Sequence, residues 1–220
     1  MSSSSQRYSP IHDWQVRLNP EWRQIQGMPA AWSFQSVEAE KSRMADLALC
    51  DCSCLRRTSL KGPAAVGWLE GLGIAVPRNL YEHSNWNGAG LIIRVDKQEV
   101  FLEDDLEGQG VKQIMEQCRP APSGVYRVER QDASFLLSGV KAPEVLLETC
   151  GYDFRGPENR LVMTRVAAVS CAVLRLEKPT FPLFRFWLDC SYGAYLWEAL
   201  HEIVHDHGGD AVGLGCHYRT

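Results

Sequence analysis

No stretch of this 220-residue chain is apolar for long: the longest near-apolar run, Val166–Leu174, is nine residues and contains Ser170. Spanning a bilayer takes roughly 20 such residues, so no transmembrane helix is expected. The opening MSSSSQRYS lacks the apolar centre of a secretory signal, and a cytoplasmic location is expected. A basic excess is missing too, with 23 Lys and Arg against 27 Asp and Glu and a formal net charge of −4. That balance gives no electrostatic reason to expect a nucleic-acid or anionic-membrane surface. There is no GxGxxG, no GxxxxGK[ST] and no GxSxG, which leaves a dinucleotide fold, a P-loop and a hydrolase elbow without support. No CxxC occurs among the eight cysteines.

What is present is ordinary globular material: 45% hydrophobic and 23% charged residues, enough chain for one large domain or two small ones. Cys50, Cys52 and Cys54 recur at period 2. In an extended segment they share one face and behave as small apolar side chains. A soft-metal site would need a second ligand cluster that the spacing does not supply, so reduced core thiols are expected.

Residues 7–36 carry Trp14, Trp22 and Trp32 with three prolines and little periodicity, which reads as an aromatic-rich arm wrapping a body. A helix is expected over Val37–Leu49. Arg57–Lys61 then reads as a strand, and Gly62-Pro63 opens a helix ending near Gly71 and Gly73. Gly90–Val95 and Glu99–Glu103 form a hairpin around Asp96-Lys97. Val111, Ile114, Met115 and Cys118 share a helical face, and Val125–Val128 is a strand.

The second half repeats the order. Ser134–Ser138 is a strand, and a helix starts at Pro143. Val166–Leu176 with Leu183–Leu188 is a hairpin. A long helix is striped by Tyr195, Leu196, Ala199, Leu200, Ile203 and Val204, and Ala211–Leu214 is a closing strand. The expected fold is α+β: an N-terminal arm and helix over 1–49, then two ferredoxin-like β-α-β-β-α-β halves over 50–130 and 131–220 forming one unit.

One enzyme-like motif stands out. His201-Glu202-Ile203-Val204-His205 is HExxH, which on a helix sets two imidazoles one turn apart for zinc with Glu202 as general base. The third histidine of a longer zinc motif is replaced by Ala211, and only 15 residues follow His205. Asp210 and His217 are the remaining possible third ligands. Glu198, His201, Glu202 and His205 all lie opposite the apolar stripe, as on any amphipathic helix, so no metal is assigned. The acidic run Glu103–Asp105 reads as a solvated turn, Tyr152-Asp153 as a loop, and Trp86, Trp187 and Trp197 as packing residues.

SPIHDW (Ser9–Trp14) and the segment ALCDCSCLRRTSLKGPAAVGWLEG resemble the start of the glycine-cleavage T-protein (aminomethyltransferase) family. That family shows a G-L-x-D-x-S strand and an L-x-G-P-x-A helix entrance, matched here by Leu49, Asp51, Ser53, Leu60, Gly62, Pro63 and Ala65. Thr164–Ala167 and FRFWLDCSYGAYLWEAL (Phe184–Leu200) look like its short relatives, the sarcosine oxidase gamma subunits. The resemblance runs from Ser9 to about Gly209 and is diffuse. It implies a T-protein-like folate-binding fold of two ferredoxin-like halves.

The departures bear on function. The T-protein carboxylate that assists aminomethyl transfer to tetrahydrofolate precedes the strand read here as LIIRV, where this chain has Ala89-Gly90. The family's Tyr-Thr-Gly-Glu element has no match in CAVLRLEKPTFPLF, its C-terminal barrel is missing, and Glu148-Thr149-Cys150 keeps only the cysteine of the Lys-Gly-Cys motif. Neither Ala nor Gly can orient or accept a proton. The expected role is therefore a non-catalytic structural subunit, gamma-like, of a heteromeric flavin-dependent oxidase or dehydrogenase of amines or N-methyl amino acids. The resemblance puts FAD or FMN and the nicotinamide dinucleotide on large flavin-binding partner chains, with tetrahydrofolate the one possible ligand here. The alternatives are a tetrahydrofolate-dependent one-carbon transferase using Asp96 or Glu99, and the zinc hydrolase of His201, His205 and Glu202.

Overall fold

Helix α1 (His12–Val16) and a hairpin of β1 (Glu21–Ile25) and β2 (Met28–Ser33) are the first elements of the chain. The computed structural model describes residues 6–86, 88, 90–156, 160–176 and 180–218. The segment expected to be an irregular arm thus holds regular elements. Its turn explains why: Gln26 and Gly27 both take positive φ (49° and 86°), the geometry that closes a two-residue hairpin with the natural strand twist. Helix α2 (Val37–Asp46) starts at Ser36, whose hydroxyl accepts the Ala39 N–H at 3.3 Å. It stops before the expected Leu49, because Leu47 is already extended and leads into strand β3 (Ala48–Asp51).

The chain divides into two compact units, residues 55–131 and the remainder on either side. The inner unit contains β4 (Arg57–Lys61), α3 (Ala65–Gly71), β5 (His83–Trp86), β6 (Gly90–Asp96), β7 (Glu99–Glu103), α4 (Gly110–Gln117) and β8 (Tyr126–Glu129). Its sheet runs β5-β6-β7-β4-β8, every neighbour antiparallel. Leu60, Ile92, Val100 and Leu102 pack with Leu69 of α3 and Val111, Ile114 and Cys118 at α4; each such side chain contributes about 1.5–3 kcal/mol on burial. The β4-to-α3 corner requires glycine. Gly62 has φ +118°, and a Cβ there would run into the Gly124 carbonyl oxygen.

The outer unit adds β9 (Ala133–Ser138), α5 (Ala142–Thr149), β10 (Leu161–Val166), β11 (Val169–Leu176), β12 (Leu183–Leu188), a single 3₁₀ turn, α6 (Gly193–Asp206), β13 (Asp210–Ala211) and α7 (Gly215–Tyr218). The order is β10-β11-β12-β9-β3-β13, antiparallel except for β13 beside β3. Phe135, Leu137, Phe184, Phe186 and Leu188 of the sheet meet Val145, Leu146, Leu196, Trp197, Leu200 and Val204 of the helices. The strand expected from Val166 to Leu176 is split by Ala167 and Ala168, both at positive φ (45° and 69°), and a third strand results. The closing strand is two residues long, because Gly213 and Gly215 bring the chain against the backbone and ring of Trp32. No helix among the described residues is long and apolar enough to cross a membrane.

The two sheets share a logic. In the inner one, β4, β6, β7 and β8 stand in the order β6-β7-β4-β8 with β5 added at the edge; in the outer one, β11-β12-β9 and β13 follow the same order, with β10 at the edge and β3 inserted. The structure is a mixed α+β fold of several sheets.

Candidate functional site

The face of the inner sheet turned away from α3 and α4 concentrates charge. Cross-strand register pairs Arg57 with Glu103, Ser59 with Phe101 and Lys61 with Glu99. Arg57 Nε lies 3.0 Å from Glu103 Oε2, and both side chains are only 2% exposed. Such a pair is compensated only while both members remain. At the open end of the face, Glu99 is held by Arg130 at 3.2 Å and Lys61 at 3.5 Å. Arg130 also donates to Ser59 Oγ at 3.1 Å and lies over the Phe101 ring. A carboxylate clamped between two cations is a structural anchor. The other acid named from sequence, Asp96, is exposed in the hairpin turn and accepts the Gln98 N–H at 3.1 Å.

Gly90 is buried at the start of β6. A Cβ built there would stand 2.5 Å from the Trp86 carbonyl oxygen and 2.8 Å from that of Glu103. Both obstacles are backbone of the flanking strands, so the position has no room for any side chain. Ala89 lies outside the described residues. The acidic run Glu103–Asp105, which ends β7 and continues past it, is built in, contrary to the expected solvated turn. Glu103 pairs with Arg57; Asp104 is buried, caps α4 by accepting the Val111 N–H at 3.0 Å, and has its pKa raised by desolvation. Asp105 Oδ1 and Oδ2 lie 2.8 and 2.7 Å from where Gly108 and Gly88 would carry a Cβ, so its carboxylate fills the space those glycines leave open.

In the outer unit the Asp-x-Ser sequence is a polar joint. Asp51 accepts the Ser53 N–H at 2.9 Å and the Gln15 amide at 3.1 Å, while Ser53 Oγ accepts the Ser134 N–H at 3.0 Å. Cys50, Cys52 and Cys54 are all buried, and so are Asp51 and Ser53 between them, because β3 is an interior strand buried on both sides; the strand ends at Asp51, so Cys52 and Cys54 follow it. Burial drives the Cys50 pKa up, with the neighbouring Cys216 adding to it, which keeps the thiol protonated. Arg185 of β12 is 2% exposed, on the face opposite the phenylalanines, and its guanidinium lies 5.7 Å from the Trp187 ring centroid.

The HExxH residues do lie on α6. His201 is wedged between Trp14 (4.8 Å, edge-on) and Trp197 (6.4 Å, stacked). Its Nε2 hydrogen-bonds Asp210 Oδ1 at 3.1 Å, and Arg43 holds the other oxygen of that carboxylate at 2.8 Å. His201 and His205 have ring centroids 6.4 Å apart, and His205 and Glu202 are exposed. Among the described residues no group of three or more His, Cys, Asp and Glu side chains is placed to hold a metal ion. Glu148 bonds His207 at 2.7 Å, Cys150 contacts Thr164 at 3.3 Å, and Asp153 is chelated by Arg155. Trp86 and Trp197 are packed within the two cores.

Sequence reasoning missed the Arg57–Glu103 pair and Arg185. A signal for the pair exists in the alternation Arg57-x-Ser59-x-Lys61 opposite Glu99-x-Phe101-x-Glu103. For Arg185 nothing local distinguishes a buried arginine from an exposed one.

No family model matches the chain, and no curated protein matches it. Among solved structures it is similar to the glycine cleavage system aminomethyltransferase T of Bartonella henselae, with TM-score 0.69 and 16% identity over 96% of this chain. It spans 61% of that protein's length. It is also similar to a chain of the heterotetrameric sarcosine oxidase of Corynebacterium sp. U-96, solved in complex with pyrrole 2-carboxylate, with TM-score 0.66 and 14% identity over 93% of this chain and 98% of the other. At such identities the likeness establishes a shared fold.

Proposed function

We propose that this chain is a non-catalytic structural subunit, similar to a sarcosine oxidase gamma subunit, of a cytoplasmic heteromeric flavoenzyme that oxidises amines or N-methyl amino acids. Flavin and nicotinamide dinucleotide are bound by its larger partner chains. Within the subunit, the matching strand orders support two ferredoxin-like halves, the second carrying β3 as an insertion. The near end-to-end match to one chain of a heterotetramer supports a subunit of similar extent. The single observation that carries the reading is the Ala89-Gly90 pair, where the resemblance calls for a proton-handling carboxylate: alanine supplies none, and at Gly90 two backbone carbonyls leave space for hydrogen alone. Of the substitutes named from sequence, Glu99 is committed to Arg130 and Lys61 and Asp96 is exposed in the hairpin turn. The test is direct. The isolated chain, given tetrahydrofolate and an aminomethyl donor already at the formaldehyde oxidation level (glycine with formaldehyde), forms methylene-tetrahydrofolate no faster than these reagents do without it, whether or not tetrahydrofolate quenches its tryptophan emission. Turnover by the isolated chain would replace this reading with that of a folate-dependent transferase.

A further inference from the structure

Strand β10 is an edge of the outer unit's sheet. The opposite edge, β13, is two residues long, whereas β10 runs from Leu161 to Val166 in unbroken register with β11. It holds no proline, lysine, acid or bulge, the devices that keep an edge from pairing, and Arg165 is its one charge. The turn fixes which backbone groups point outward. Ala167 and Ala168 take the paired positive φ of a type I′ turn, so Val166 and Val169 exchange hydrogen bonds. By alternation Leu161, Met163 and Arg165 then turn their N–H and C=O away from β11. An isolated bridge from Cys150 to Val166 caps the turn end of the edge. Beyond it the chain leaves the edge, since Tyr152 and Phe154 pack on the core beside Phe184. Residues 161–165 therefore stay open. Met163, at their centre, is 65% exposed, more than any other large apolar side chain among the described residues.

We infer that β10 pairs antiparallel with β10 of a second copy of this chain, joining two sheets into one across a two-fold axis. The edge fits itself. A two-fold at Met163 lets that residue exchange both hydrogen bonds with its own copy, and sets Leu161 opposite Arg165 and Val162 opposite Thr164. The single cation thus meets an aliphatic side chain and never another arginine, whereas like charges directly opposed destabilise a ladder. Met163 lies against Met163, which takes the exposed apolar surface of both copies out of water. The paired length equals the open length, because Cys150 caps the edge at the same point in each copy. An unlike strand would gain from Arg165 only by bringing an acid to it; the self-pair needs none. This goes beyond the subunit reading, and it holds or fails on the isolated chain whatever larger assembly the chain joins.

The test is sedimentation velocity of the full chain over a dilution series. A dimer that dissociates on dilution is expected. Met163→Pro removes an outward N–H and leaves the β10–β11 ladder intact, since proline is tolerated on the open side of an edge strand. The variant is expected to stay folded by circular dichroism and to raise the dimer dissociation constant at least about tenfold, as the loss of both hydrogen bonds at the axis requires. Tyr195→Ala, which trims an exposed aromatic on α6, leaves the constant unchanged. Met163→Cys in a Cys190→Ser background, where the remaining native thiols are buried, is joined to its own copy by a short bismaleimide. A chain that stays monomeric throughout, a dimer unaffected by Met163→Pro, or a dimer whose Met163→Cys thiols are not joined overturns the proposal. So does a native assembly holding one copy of this chain whose β10 amides are protected from hydrogen exchange by a strand of another protein.

Discussion

Replacing Gly90 by Asp restores, on paper, an acid at one of the two positions, Ala89-Gly90, where the T-protein resemblance leads one to look for a carboxylate. The structure predicts that it instead damages the inner sheet. The new Cβ would lie 2.5 Å from the Trp86 carbonyl oxygen and 2.8 Å from that of Glu103. Both belong to the strands flanking β6, so no rotamer change relieves the clash and the strands must part. Overpacking of this kind costs about 1–3 kcal/mol, and each ladder hydrogen bond lost adds about 1 kcal/mol. A buried carboxylate without a partner adds more. A total of about 3–5 kcal/mol is a large fraction of the roughly 5–15 kcal/mol that holds a domain together. The assay is urea unfolding followed by tryptophan emission and far-UV circular dichroism. Gly67→Ala is the control, since Gly67 is inside α3 with nothing within 4 Å of a built Cβ; it is expected to gain about 0.5–1 kcal/mol. If Gly90→Asp unfolds within about 0.5 kcal/mol of the parent, the range of a harmless surface change, the steric reasoning is wrong.

Glu103→Gln removes the buried carboxylate that pairs with Arg57 and is expected to cost about 3–5 kcal/mol in the same urea assay, whereas Arg57→Met with Glu103→Leu recovers most of the loss; an additive double variant would show that the pair does not couple. The Asp210 carboxyl is held below its ordinary pKa chiefly by the His201 hydrogen bond, with the Ala211 N–H and Arg43 assisting and partial burial opposing. A carboxyl with a depressed folded pKa contributes stability above its unfolded value of about 3.9 that is lost as pH falls through the folded pKa. The stability gap between the parent and Asp210→Asn is therefore full at neutral pH and shrinks on acidification below about 4, and a gap constant with pH would contradict the assignment. Burial pushes the Cys171 pKa up to about 12, and of the eight cysteines only Cys190 is exposed. A thiol reagent such as dithionitrobenzoate should label Cys190 promptly and the other seven only on unfolding; fast labelling of a Cys190→Ser variant would show that the cores are open.

The readability of this fold follows from the range of the interactions involved. The β6–β7 hairpin, the α4 stripe and the long α6 helix are local patterns, and the glycine at the β4-to-α3 corner announces itself through Gly62-Pro63. Strand β3 does not: its four residues are all buried, so it shows no alternation, and its partner β9 is some 85 positions further along the chain. The turns Gln26-Gly27 and Ala167-Ala168 take positive φ, and neither alanine carries the usual signal for that conformation. The same limit applies to the chemistry. HExxH is visible as a pattern, yet what His201 touches depends on Trp14, Arg43 and Asp210 from three separate segments. Ala89-Gly90 was legible as the place of a missing acid, but the two carbonyls that forbid a side chain at Gly90 come from neighbouring strands.

The central claim concerns the company this chain keeps. Isolation of the tagged chain from its native cells, followed by native mass spectrometry and absorption spectroscopy of the eluted species, measures it most directly. The account predicts a defined heteromer with larger flavin-bearing chains, whose flavin is bleached anaerobically by an N-methyl amino acid. Recovery of the chain as a lone species that itself transforms a methylated amine would contradict it.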